Sequence, residues 1–166
     1  MRTLRLVTAC LLGAMVVGCA SVKTPTSAPA SGSGAPTAVA GYDWFFHTDG
    51  DEALLAYGVE ASDDLKLGLS CAKGGGKLSL EALAPAGSRE IHLESGGDTE
   101  RFAAHAEPSQ LHEGEFLTAE AETKAPVFQR FRRLAWLARW TGERRETYVA
   151  HPGTVADVER FFAFCG

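Results

Sequence analysis

The chain has 166 residues, 16 of them basic and 21 acidic, for a net charge of −5, with 45% apolar and 22% charged residues. That balance excludes a disordered polyelectrolyte and a collagen-like repeat, and an acidic surface argues against nucleic acid as a partner.

In chain order the first feature is an export signal over residues 1–18. Arg2 and Arg5 precede an apolar run from Leu6 to Val17, roughly a dozen residues where a membrane span needs about 20. The run ends in Val16-Val17-Gly18-Cys19: two β-branched residues, one small residue and a thiol. This segment resembles the lipobox of bacterial lipoproteins, which implies cleavage before Cys19 and a lipid anchor on its sulfur and new amino group. Three acyl chains exceed the two signals that stable anchoring requires, so the membrane is an expected partner through Cys19. Cys10, the other thiol of the segment, would leave almost no apolar core before a cut. Ala20, in place of an acidic residue after the lipidated Cys, resembles outer-membrane sorting, with the domain facing the periplasm. Loss of Arg2 and Arg5 leaves 14 basic residues against 21 acidic, about −7 for the mature chain.

Residues 19–41 contain Ser, Ala, Pro, Gly, Thr and Val with one charge at Lys23, a flexible tether spanning roughly 25 Å as a random coil. One globular domain is expected over 42–166, long enough for a single core. It holds Cys71 and Cys165, which in an oxidising compartment are expected to form one disulfide worth on the order of 4 kcal/mol in the chain-entropy model. A redox or metal pair is disfavoured because neither thiol belongs to a CxxC or has a His within five residues.

Within the domain the dominant apolar period is two. Tyr42–Phe46 and Ala53–Tyr57 flank the acidic turn Asp49-Gly50-Asp51-Glu52; Leu65–Cys71 and Lys77–Leu83 flank Gly74-Gly75-Gly76. Each reads as a hairpin, and the acidic turn as a solvated loop rather than a calcium site. Glu90–Glu94, Arg101–Ala106 and, more weakly, Thr118–Thr123 add strands. After Pro126 the spacing of Val127, Phe128, Phe131 and Leu134 predicts an amphipathic helix. Trp136–Trp140 and Arg145–Ala150 follow as two strands, with Trp136, Ala138 and Trp140 expected on one buried face. Thr154 is expected to cap a final helix whose Val155, Val158, Phe161, Phe162 and Cys165 turn inward. The fold class expected is α+β: a small antiparallel sheet with one or two packed helices, the last at the C-terminus.

No catalytic constellation emerges: no Gly-x-Ser-x-Gly elbow, no His-Glu-x-x-His, no phosphate loop. His47, His92, His105, His112 and His151 are dispersed, and His92-x-Glu94 or His105-x-Glu107 lacks a third ligand nearby, so no metal or other cofactor is expected. Composition is unusual in one place. Six of eleven arginines fall within 130–145, beside two tryptophans. Arg130, Arg132, Arg133, Trp136, Arg139, Trp140 and Arg144 form a candidate binding surface, since guanidinium forks beside indoles recognise anions and acidic protein surfaces.

The domain, with Tyr57–Ser62, Leu93–Gly97, Ala125–Phe128 and the closing Phe161–Cys165, resembles small uncharacterised envelope proteins of alphaproteobacteria, a resemblance that brings no activity with it. Behind a lipobox, a small disulfide-bearing β domain is also similar to lipid-anchored lysozyme inhibitors. The expected function is a lipid-anchored periplasmic binding domain, not an enzyme, with an envelope protein or cell-wall component as partner. The alternatives are an assembly accessory of an outer-membrane complex and a small inhibitor of a cell-wall hydrolase.

Overall fold

The computed structural model describes residues 35–109 and 113–166. The export signal, Cys19, most of the tether and His112 lie outside the described residues.

Among the described residues nine strands and two helices follow one another: β1 (Asp43–Asp49), β2 (Glu52–Gly58), β3 (Leu65–Ala72), β4 (Lys77–Ala84), β5 (Glu90–Ser95), β6 (Asp98–Pro108), β7 (Glu115–Glu122), α1 (Pro126–Leu134), β8 (Trp136–Thr141), β9 (Arg144–Val149) and α2 (Val155–Cys165). All pairings are antiparallel, in the order β1-β2-β3-β4-β7-β6-β5-β8-β9. The expected α+β class is corrected: the structure is mostly antiparallel β, 52% strand and 16% helical, in a nearly closed, barrel-like sheet. Two short helices, nine and eleven residues long, pack their apolar sides against the inward face of this sheet and keep Arg133, Glu159 and Arg160 exposed. The reason is curvature. The long strand β6 gives its first half, Asp98–Ala103, to β5 and its second half, Ala104–Pro108, to β7, so the sheet turns a corner at two alanines too small to obstruct it. The two edges then meet, with the Trp44 indole of β1 donating to the Tyr148 carbonyl of β9 at 3.3 Å.

Alternation turns one face of each strand inward, only partly buried in β6, and the inward faces join the apolar sides of both helices in a single core. Its centre is aromatic. Trp44 lies 4.8 Å from Phe131 and 5.3 Å from Tyr57, centroid to centroid, and Phe128 and Phe131 meet Phe162 at about 6 Å. The Cys71–Cys165 disulfide, closing 94 residues, ties the end of α2 to the β3–β4 hairpin. Around it Gly74 and Gly76 donate to the carbonyls of Phe164 and Cys165, both at 2.8 Å, and the Thr123 hydroxyl to that of Gly166 at 2.6 Å. At the other end of α2 the Thr154 hydroxyl makes no helix cap; it lies 2.6 Å from Asp43 Oδ1, joining the helix to the first strand.

Candidate functional site

The Cys71–Cys165 disulfide, with the C-terminus of α2, closes one end of the barrel at the β3–β4 turn, and α2 runs from there back to Asp43 at the start of β1. The opposite end is formed by the last residues of β2, β4, β6 and β8 and the first of β3, β5, β7 and β9, and it is open. The short connection 85–89 must carry the chain from β4, past β7 and β6, to β5, so it crosses this opening and lines a cleft on either side. The larger, about 860 Å³, lies between the ends of β3 and β4 and those of β8 and β9; its charged walls are Asp63, Asp64, Lys66, Glu113, Arg139, Arg144 and Glu146. The smaller, about 470 Å³, occupies the gap where β5 and β8 diverge beyond the His92–Trp140 pair, and is lined by Ser88, Arg89, Glu90, His92, Arg101, Arg139, Trp140 and Thr141, among others. Gly114 lies at the rim of the larger cleft, against the end of β4. Its φ is +113°, and a Cβ there would stand 2.3 Å from the Ala84 carbonyl.

Arg139 belongs to both clefts. The expectation that Trp136, Ala138 and Trp140 share a face holds, but that face points away from the main core; Leu137 and Arg139 are the residues of β8 that turn inward, opposite Tyr148 and Leu93. Trp136 and Ala138 are buried all the same, because a second, outer cluster covers them. Local hydrophobicity could not reveal this, since indoles outweigh Leu137 beside an arginine on any scale of apolarity. Arg139 is 7% exposed. Its fork crosses the barrel and donates to the carbonyls of Lys66, at 3.1 Å, and Leu83. The β3–β4 ladder runs only from Ser70–Ser79 to Gly68–Glu81; continued, it would set Lys66 opposite Leu83. Arg139 therefore stands where these two strands part and satisfies carbonyls the sheet has left over. Arg139 takes part in no ion pair among the described residues. The Tyr148 hydroxyl, its pKa raised far by burial against the pull of Arg139, stays protonated and donates to Glu146 at 3.2 Å.

The outer cluster is built on Glu94. This buried carboxylate accepts two bonds from Arg145, both at 2.8 Å, and one from the Trp140 indole at 2.7 Å. Arg145 first, then Trp140, hold its pKa below the ordinary carboxylate value, against the opposing effect of burial. The Arg145 guanidinium also covers the Trp136 ring at 5.5 Å. His92 stacks on Trp140 at 6.1 Å; its Nε2 is buried without a hydrogen-bond partner, and burial, then the charge of Arg101, lowers its pKa. The His92–Glu94 strand pair noted in the sequence thus shares one face, with its carboxylate already engaged.

The arginine-rich stretch is divided among three places. Arg130 on α1 donates to the Ser95 carbonyl at 2.7 Å, Arg132 pairs with Glu159 at 2.8 Å, and Arg133 is exposed beside them. Trp136 and Trp140 lie on the outer face of the barrel. Arg139 lies inside, with Arg144 on the rim 3.7 Å from Glu146. One continuous arginine surface does not form, because the helix and the two strand faces point in different directions. What sequence reading missed at the open end is Lys66, Ser88 and Arg101, which come from strands and connections far from residue 139 and carry no local signal. In comparisons with known families, characterised proteins and solved structures, nothing matches this chain.

Proposed function

We propose that the protein is a lipid-anchored binding module of the bacterial cell envelope, tethered through Cys19, that receives its partner at the open end of the barrel. The observation carrying this reading is the contrast inside one fold: the interior is packed to the disulfide at one end and left as two charged clefts at the other. The lipobox and the Cys71–Cys165 bond both suit an exported protein. The start of the domain also lies beside the larger cleft, where Tyr42 hydrogen-bonds Asp64 and lies under the Lys66 ammonium at 5.4 Å. An anchored domain that holds a ligand needs affinity and no turnover.

The test is site-specific photo-crosslinking in intact cells, with the crosslinker at Arg144 on the open rim or at Arg133 on the helix end. Capture of one envelope component from Arg144 and not from Arg133 supports the reading. Equal capture from both, or from neither, overturns it. The anchor is tested separately: Cys19→Ser is expected to lose acyl labelling and leave the membrane fraction, and retention of either would refute the lipobox assignment.

A further inference from the structure

The deepest cation of the open end, Arg139, makes hydrogen bonds but no ion pair among the described residues. Burying an arginine costs several kcal/mol unless its charge is answered, and two neutral carbonyls answer only part of it. Every other cation of the smaller cleft has an anion. Arg89 pairs with Glu115 at 2.9 Å and Arg101 with Glu90. Among the described residues the cleft is left with one positive charge, on Arg139, whose guanidinium spends two N–H groups on carbonyls and also reaches the Tyr148 hydroxyl. The neighbouring His92 has a buried, unpartnered ring nitrogen, and burial first, then the charge of Arg101, lowers its pKa. Trp140, its ring stacked on His92, lines the same cleft at the end of β8.

We propose that the smaller cleft binds a carboxylate, bonded to Arg139 through an N–H not spent on the two carbonyls, with its attached apolar group beside Trp140. This rests on the open end being the binding site and names the chemistry it recognises. A monoanion is favoured over a phosphate by charge count. One uncompensated positive charge matches one carboxylate, whereas a dianion would leave a negative charge near Glu90 and Glu94.

The experiment uses the full lipidated chain in detergent, with the Trp140 indole and His92 ring resonances as reporters. Benzoate is expected to shift both saturably, and its neutral isostere benzamide to bind at least tenfold more weakly. Thr141→Glu places a carboxylate two residues from Arg139 on the same strand face, beside both clefts. It is expected to abolish benzoate binding and raise the melting temperature, whereas a guanidinium fully satisfied by carbonyls would gain nothing from it. Equal binding of benzoate and benzamide, binding of neither, or undiminished binding by the Thr141→Glu variant overturns the proposal. N-acetyl-Ala-Ala and its C-terminal amide separate the two sources of a carboxylate: tighter binding than acetate, lost on amidation, assigns a peptide end, and no gain over acetate assigns a free acid. If benzoate fails while the Arg144 crosslink survives, the ligand class is wrong and the site stands; if both fail, both are withdrawn.

Discussion

The two ends of this barrel spend their buried side chains differently. At the closed end Phe128, Phe131, Phe161 and Phe162 fill the interior, and a disulfide with three hydrogen bonds fixes the last helix over them. At the open end one arginine crosses the lumen, held by two carbonyls, with space on both sides. Apolar packing is non-directional and gains with every contact, so it suits the end that supplies stability. A charged crossbar is directional and leaves room around it, so it suits an end that must admit something.

If that division is right, the largest loss of stability belongs to the closed end. Phe131→Ala removes a fully buried ring that meets both Trp44 and Phe162, and is expected to cost about 3–5 kcal/mol in chemical denaturation. Next comes the disulfide: a Cys71→Ala, Cys165→Ala chain is expected to lose on the order of 2–4 kcal/mol while keeping its Arg144 crosslink. A loss of crosslinking in proportion to stability would break the comparison. At the open end Arg139→Met is expected to cost less, about 1–3 kcal/mol, because two carbonyls lose their donor while the buried charge is removed with it.

Much of this architecture was legible along the chain, for a physical reason. Alternation at Leu65–Cys71 and the helical spacing of Val127, Phe128 and Phe131 are local consequences of which face is wet, and both elements form where the pattern places them. The disulfide was legible from compartment and parity. The bend of β6 was not, nor the β4–β7 and β5–β8 pairings that curve the sheet, since they join segments with no sign of each other in sequence. The site suffered most. Arg139 was one of seven residues grouped by proximity in sequence, yet its role depends on carbonyls at Lys66 and Leu83 that only closure of the barrel brings near.

Acid sharpens the contrast from the outer face. The shifts of His92 and Glu94 are both downward, so at these two groups the unfolded chain binds more protons than the folded one as pH falls. His92 therefore starts to withdraw stability below its ordinary value of 6.5, and Glu94 adds its loss below 4.5, as pH falls through their lowered values. Thermal melts from pH 8 to pH 4 are expected to decline in that order. Glu94→Gln should flatten the lower limb from a lower starting stability, and an unchanged limb would remove Glu94 as its cause.

The smallest effect separates a surface pair from a buried one with the same chemistry. Arg132–Glu159 and Arg145–Glu94 are both two-bond arginine–carboxylate forks with a 2.8 Å contact. Glu159 is 48% exposed and its pair is open to solvent screening, whereas Glu94 is 9% exposed and takes a third bond from Trp140. A double-mutant cycle with alanine is expected to give under about 0.5 kcal/mol for the first pair, vanishing in high salt, and a clearly larger coupling that persists in salt for the second. Equal couplings would mean that water reaches Glu94 as freely as Glu159, and that the outer cluster over Trp136 and Ala138 opens in solution.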